Sequence, residues 1–255
     1  MRRIEVKLLV GLFLLAVVGV ACTEKKTETK KNDVKMVSGM FVGELPCADC
    51  PGILTHVTFD KDGKVAITSL YEDRGNYSET EWGTWKFDDG LIRVALPSDS
   101  AFYLVKSDSL IARVDNQGKE VNSALRKNYL LAKQKEMDAK AFEGEYWMEG
   151  ESPKGYKQKL EIKKKGDWEA EVIISFSGAT KGCTFTGKGK VINDQIDIPL
   201  HESDAQFNSV MVVRFVKENV IGISTAREAD LANLAHFCGG GASLAGEYER
   251  ATDKK

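Results

Sequence analysis

The chain has 255 residues, of which 36 are Lys or Arg and 38 are Asp or Glu, so its formal net charge is −2. A chain of this length can build one large or two small hydrophobic cores. The lack of a basic excess argues against nucleic acid as a partner.

The first 22 residues have the pattern of a bacterial lipoprotein export signal. Three basic residues precede the apolar run Leu8–Ala21, which is shorter than the roughly 20 residues that span a bilayer as a helix. Small residues before Cys22 resemble a lipobox, in which the cysteine is acylated and becomes the mature N-terminus. We therefore predict a signal peptide at 1–21 and lipidation of Cys22. An ordinary cleaved signal without lipidation is the alternative.

Residues 22–37 are mostly Lys, Glu and Thr, with little that a core could bury. This composition predicts a disordered tether. A flexible segment of this length has an end-to-end distance of about 20 Å, enough to hold a folded domain just off a lipid surface.

Residues 38–133 contain short segments of alternating polarity separated by turn residues, such as Asp62-Gly63 between two strands. About eight strands with tight turns and no long helix predict a closed antiparallel barrel. The predicted strands are Met40–Leu45, Leu54–Phe59, Val65–Leu70, Glu81–Phe87, Leu91–Leu96, Phe102–Val105, Leu110–Val114 and Tyr129–Ala132.

Residues 141–255 repeat this organisation after a charged linker at 134–140. The stretch MFVGEL (Met40–Leu45) is echoed by AFEGEY (Ala141–Tyr146) and by LAGEYER (Leu244–Arg250). A glycine inside a strand indicates a bulge or a bend at a barrel corner. The sequence thus predicts an all-β chain with two small barrels, the second lipocalin-like or, as the competing count, a five-stranded OB-type barrel. The further predicted strands are Gln158–Lys163, Glu169–Ser175, Thr184–Val191, Gln195–Leu200, Val210–Val216 and Val220–Ser224.

Four cysteines remain once Cys22 is set aside. An exported chain meets oxidising surroundings, so disulfides are expected. Cys47 and Cys50 can reach each other locally, and Cys183 and Cys238 then pair by default. Closing the long loop stabilises by roughly 4 kcal/mol and closing the short loop by about 2 kcal/mol, so the long bridge needs no role beyond stability.

Cys47 and Cys50 lie in the stretch GELPCADCPGI (Gly43–Ile53), where two prolines and a conformationally permissive Gly52 predict a stiff loop. Three roles stay open for the pair. It is a structural disulfide, a copper(I) clip to which Met36 or Met40 would add a thioether ligand, or a redox pair. Redox catalysis is disfavoured, because no helix follows the first cysteine to lower its pKa.

The same stretch, with the following DKDG turn, the GTW segment Gly83–Trp85 and the segment Ser109–Lys133, resembles the N-terminal domain of the NlpE copper-resistance lipoprotein family over roughly residues 39–133. The resemblance implies an outer-membrane lipoprotein with a small lipocalin-like barrel. It also implies a role in reporting envelope or surface stress to a signalling system, and a copper site at Cys47 and Cys50.

We therefore expect a non-enzymatic protein of the bacterial envelope, attached to the outer membrane by its N-terminal lipid. Its expected function is copper resistance or envelope stress sensing, with copper(I) as the metal and an envelope signalling protein as partner. The alternatives are a lipocalin-like carrier of a small apolar ligand and a protein-binding adaptor in which both disulfides are structural.

Overall fold

A computed structural model describes residues 37–75, 77–149 and 155–251. The expected signal peptide, Cys22 and the tether up to Met36 lie outside the described residues. Within the described ranges, none of the helices has the length and hydropathy needed to cross a bilayer.

The first barrel is an antiparallel meander in which each strand pairs with the next and β8 pairs with β1. The closing pair joins Phe41 to Lys133, and a 3₁₀ helix at Ala124–Tyr129 precedes the last strand. The predicted eight-stranded barrel is therefore confirmed. Its strands are β1 (Gly39–Leu45), β2 (Ile53–Phe59), β3 (Lys64–Tyr71), β4 (Ser78–Asp88), β5 (Leu91–Ala95), β6 (Ser100–Ser107), β7 (Leu110–Val114) and β8 (Leu130–Gln134).

Large side chains fill the interior of the first barrel. The Phe59 ring makes edge-on contacts with three others, at centroid distances of 6.0 Å to Phe41, 5.4 Å to Trp85 and 6.0 Å to Tyr103. All four side chains are buried. Because strand residues alternate between the two faces, the apolar alternation of the sequence places these rings in one core.

The second barrel begins with a short helix, α1 (Ala139–Phe142), and closes by pairing its first strand with its last. It has eight strands, so the lipocalin-like count is confirmed and the five-stranded alternative is wrong. Short 3₁₀ helices occur at Leu200–Glu202 and Glu228–Ala235. The strands are β9 (Gly144–Glu149), β10 (Lys157–Gly166), β11 (Glu169–Ser177), β12 (Phe185–Ile192), β13 (Gln195–Pro199), β14 (Val210–Lys217), β15 (Val220–Thr225) and β16 (Gly246–Arg250).

The two GEY repeats of the second half occupy equivalent positions. Tyr146 and Tyr248 are fully buried. Each donates its hydroxyl hydrogen to a carbonyl four residues earlier, that of Phe142 at 2.9 Å and that of Leu244 at 2.8 Å. Their strands are neighbours across the closing seam of the barrel. The repeat therefore places one buried tyrosine in each of the two strands that close the barrel, with Tyr146 opposite Arg250.

The turn between β12 and β13 lies against the outer face of β2 and β3 of the first barrel. Asn193 is 2% exposed, and both the oxygen and the nitrogen of its side-chain amide form hydrogen bonds with the first barrel. Its oxygen accepts a hydrogen bond from the Thr58 hydroxyl at 2.7 Å, and its nitrogen donates to the Thr68 hydroxyl at 2.8 Å. Nearby, the Gln195 amide oxygen accepts from the Ser78 hydroxyl at 2.7 Å. The two barrels thus share a buried polar interface.

The predicted linker joins this interface. The Glu136 carboxylate accepts from the backbone N–H of Asn193 at 2.6 Å, and the Asp194 carboxylate accepts from the backbone N–H of Met137 at 2.7 Å. Hydrogen bonds therefore tie the linker to the same turn that contacts the first barrel.

Candidate functional site

The loop between β1 and β2 carries the predicted C-x-x-C pair. The backbone N–H of Glu72 donates to the carbonyl of Gly52 at 3.0 Å, which attaches the loop to the β3–β4 connection. Gly52 does not have the unusual positive φ expected for it. A Cβ there would lie 2.5 Å from a carboxylate oxygen of Glu44. A side chain at Gly52 would therefore require the exposed Glu44 side chain to move, and the backbone conformation itself does not require glycine.

Cys47 and Cys50 form a disulfide with their Cα atoms 5.3 Å apart. Both residues are half-buried, and Asp49 between them is exposed. One Asp49 carboxylate oxygen lies 3.5 Å from the Cys47 sulfur, and the carbonyl oxygen of Gly52 lies 3.3 Å from the Cys50 sulfur. The sulfur pair is therefore at the end of the first barrel and outside its packed core.

Asp49 also connects the loop to its neighbour by an ion pair with Arg74. The Arg74 guanidinium in turn lies 5.6 Å from the centre of the exposed Tyr71 ring. Exposed ion pairs contribute little to stability, at most about 1 kcal/mol. Their main consequence here is that the two loops present one continuous surface beside the disulfide.

The side chains of Cys47, Asp49 and Cys50 place one candidate ligand atom each within 4.8 Å of one another. Copper(I) prefers soft thiolate ligands, and a disulfide offers none. Reduction of the disulfide by two electrons would supply two adjacent thiolates and leave the carboxylate beside them. The donor set therefore fits copper(I) in the reduced form of the loop and not in the oxidised form.

The structure does not bring Met40 to this site. Met40 is 1% exposed and lies near the start of β1, opposite Thr58 and Gln134, whereas Cys47 follows the other end of the strand. Seven extended residues span roughly 20 Å. Met40 thus lies buried on the outer face near the opposite end of the barrel, and the structure does not bring it to the sulfur pair. Met36 and the lipidation site Cys22 lie outside the described residues.

The second disulfide joins Cys183 to Cys238. Cys183 is fully buried, and the backbone N–H of Thr184 donates to the carbonyl of Phe237 at 3.1 Å. The bridge holds the end of the 3₁₀ helix at Glu228–Ala235 against the start of β12. Cys183 is buried and Cys238 is half-buried against the core of the second barrel, which agrees with a structural role.

His56 lies close to the second barrel and is not a solvated surface side chain. It lies on the outer face of β2 as expected, but the second barrel covers that face, and its Nδ1 atom is buried. Burial lowers the pKa of His56, and the nearby positive charge of Arg214 acts in the same direction. Alternation identifies the face of the strand but not what packs against it.

Two closed eight-stranded meanders, the first with a disulfide-bonded C-x-x-C loop between β1 and β2, define a two-barrel protein of lipocalin-like architecture. Residues 41–124 match the family model of the NlpE N-terminal domain. The first barrel is therefore similar to the NlpE N-terminal domain over most of its length.

Two curated relatives are lipoproteins. The chain is 37% identical over 76 residues to the 17 kDa lipoprotein of Treponema pallidum (strain Nichols), covering 29% of this chain and 49% of the relative. It is 30% identical over 104 residues to Lipoprotein NlpE of Escherichia coli (strain K12), covering 39% of this chain and 42% of the relative. The chain thus spans no more than about half the length of these relatives.

Two solved structures are also similar. A putative lipoprotein from Shewanella oneidensis shares 28% identity with a TM-score of 0.35, covering 38% of this chain and 88% of that chain. The Cpx pathway activator NlpE from Escherichia coli shares 16% identity with a TM-score of 0.31, covering 74% of this chain and 85% of that chain.

Proposed function

We propose that this chain is an envelope lipoprotein of the NlpE type, anchored to the outer membrane through lipidated Cys22, and that the Cys47–Cys50 loop serves copper handling or stress sensing. The observation that carries the proposal is the half-buried sulfur pair with a carboxylate beside it at one end of a barrel of this family. The lipoprotein relatives support the anchor.

The oxidation state of the loop governs its chemistry. In the disulfide form, the loop has no thiolate to offer a soft metal. After reduction, Cys47 and Cys50 supply two thiolates that bind copper(I), and Asp49 adds a negative charge close to the cation. The site therefore takes up copper only under conditions that also keep the thiols reduced, which links metal uptake to the redox state of the envelope.

The filled interiors favour this role over that of an apolar-ligand carrier. Aromatic and aliphatic side chains occupy the inside of both barrels. A cleft of about 860 Å³ and a cavity of about 180 Å³ both lie between the barrels, on their outer faces. A lipocalin-like carrier needs room inside a barrel.

A copper(I) titration of the full chain in detergent tests the proposal. The protein is reduced, kept without oxygen and titrated against a chromogenic copper(I) chelator. We expect the parent to remove one copper ion from the chelator, and we expect C47S/C50S to remove none. Equal copper uptake by parent and C47S/C50S would refute the proposed site.

Two controls separate the site from general thiol binding. The unreduced parent should leave the chelator loaded, because its sulfurs are joined. An Asp49→Asn variant should bind copper more weakly than the parent while keeping its stoichiometry, since only the neighbouring charge is lost. In cells, crosslinking from the β1–β2 loop tests whether an envelope signalling protein docks there.

A further inference from the structure

Three buried side-chain nitrogen or oxygen atoms lack a hydrogen-bond partner among the described residues: His56 Nδ1, Arg113 Nη1 and Arg214 Nε. Two of the three, those of His56 and Arg214, line the same cavity between the barrels. Buried polar atoms are nearly always paired, so each exception requires an explanation. Here one cavity accounts for two exceptions, contributed by different barrels.

A largely buried arginine is less common in proteins than a largely buried histidine. Arg214 projects from the outer face of β14 towards the first barrel, and its buried Nε atom has no hydrogen-bond partner among the described residues. Burial lowers the pKa of its guanidinium, yet arginine stays charged in proteins. A half-buried cation without a partner is costly, so a negative group in the cavity would relieve this cost.

The other walls restrict what that group can be. Leu54, Leu70, Met137 and Phe215 give the cavity an apolar side. Asp194 also lines it, with one carboxylate oxygen accepting from the backbone N–H of Met137. A second negative charge on the occupant would lie near Asp194 and be repelled. The volume of about 180 Å³ exceeds the roughly 30 Å³ occupied by one water.

We propose that the cavity between the barrels is a binding site for a small organic monocarboxylate, held by Arg214 of the second barrel and His56 of the first. The guanidinium fork accommodates both carboxylate oxygens, and a short alkyl chain lies against the apolar wall. Because the two polar groups come from different barrels, the bound ligand bridges them and stabilises their mutual position.

Protonation of His56 couples binding to pH. The His56 ring lies close to the backbone of Asn193 and in the field of Asp194 and Arg214, and the Glu136 carboxylate is bound to the backbone N–H of Asn193. When His56 is protonated, Nδ1 donates to the ligand. Carboxylate binding therefore takes up a proton, and the affinity rises as the pH falls from 8 to 6.

The test is a titration of the full chain in detergent with sodium butyrate at constant ionic strength, with sodium chloride as the balancing salt. Thermal unfolding and the side-chain Nε–H NMR signals of arginine are followed together. We expect a saturable rise in Tm and a saturable shift of one arginine signal. Arg214→Gln should weaken the binding at least tenfold. His56→Gln should remove its pH dependence.

Arg113→Gln is the matched control. Arg113 also has a buried nitrogen without a partner, but it contacts Tyr103 in the first barrel and does not line this cavity. It should bind butyrate like the parent. If Arg214→Gln fails to fold, Arg214→Lys replaces it in the test. Lysine keeps the positive charge but lacks the planar guanidinium that binds both carboxylate oxygens, so this variant should bind butyrate more weakly than the parent.

Three outcomes would overturn the proposal. The first is the absence of any saturable effect of butyrate on the parent, which would indicate that only water fills the cavity. The second is equal binding by the parent and both Arg214 variants. The third is tighter binding of inorganic phosphate at pH 8, where it is mostly a dianion, than of butyrate, which would contradict the monocarboxylate assignment.

Discussion

The Thr58 hydroxyl of the first barrel donates a 2.7 Å hydrogen bond to the side-chain oxygen of Asn193 in the second. The same amide donates to Thr68 and, at 3.3 Å, to the carbonyl of Ala66. One side chain at a hairpin turn therefore satisfies three polar groups on the outer face of the neighbouring barrel. This contact makes the interface between the barrels specific.

Replacing Asn193 by Ala should destabilise the interface, because it leaves several buried polar groups without partners. Asn193 also has a positive φ of 51°, so backbone strain must be separated from hydrogen bonding. Asn219→Ala serves as the control, since Asn219 has a φ of 60° but is exposed. We expect N193A to lower the free energy of unfolding by about 2 kcal/mol more than N219A in urea denaturation. An equal decrease in the free energy of unfolding for both variants would show that backbone strain, and not the loss of hydrogen bonds, accounts for the effect.

Stability should fall as the pH rises through 7, because burial raises the pKa of Glu136 from 4.5 to about 7. Between these two values the folded state holds a proton that the unfolded chain has released, so protonation favours folding there. Burial also raises the pKa of Asp197, to about 6, which acts in the same direction. Protonation of His56 opposes it at lower pH, since burial lowers the pKa of this group.

A Glu136→Gln variant tests this linkage. The glutamine side chain keeps an oxygen that can accept the hydrogen bond from the Asn193 N–H, but the side chain cannot ionise. Thermal unfolding between pH 6 and pH 8 should show a smaller pH dependence for E136Q than for the parent. Glu218→Gln, at an exposed turn, should behave like the parent. An unchanged pH dependence in E136Q would assign the effect to other groups.

The two disulfides should differ in their contribution to stability. The cysteines are 3 residues apart in the first bridge and 55 apart in the second. The chain-entropy argument therefore gives about 2 kcal/mol for the Cys47–Cys50 bridge and about 4 kcal/mol for the Cys183–Cys238 bridge. Denaturant unfolding of C47A/C50A and C183A/C238A checks the order. A larger loss for C47A/C50A would mean that the short bridge has the main structural role.

Gly43→Ala should weaken the closure of the first barrel. A Cβ at this position of β1 would lie 2.4 Å from the backbone carbonyl oxygen of Leu130, and backbone cannot move aside cheaply. Overpacking of this kind costs about 1–3 kcal/mol. Gly90→Ala is a control with a positive φ of 80° but no atom within 4 Å of the added carbon. Thermal unfolding should show the larger loss for G43A, and the reverse order would contradict the packing argument.

Local sequence signals predicted most of the fold. Period-two alternation and turn pairs such as Asp62-Gly63, where the glycine has a φ of 83°, locate strands and hairpins without knowledge of distant contacts. The eight-stranded count of both barrels follows from them. The GEY repeat is also visible in the sequence. The hydrogen bonds of its tyrosines cannot be predicted from it, because they depend on the path of the preceding turn.

Long-range packing could not be predicted in the same way. Ala66 and Thr68 flank Ile67, whose side chain points into the core, so their own side chains lie on the outer face of β3. They are nevertheless only 2% and 4% exposed. The second barrel buries them, as it buries His56, and no local pattern encodes which surfaces meet. Nearness in sequence makes Met40 a candidate ligand, but the extended strand β1 separates it from the cysteine loop by roughly 20 Å.

The second barrel closes through Trp147 in β9 and Glu249 in β16, so its first and last strands must both be present before the sheet has no free edge. A chain that emerges N-terminus first can complete the first barrel once Gln134 is free. The strands of the second barrel then have unpaired edges until about a hundred further residues have emerged. Unpaired strand edges are prone to aggregation. Because the first barrel also closes only when β8 reaches β1, chaperone demand during biogenesis should arise once for each barrel.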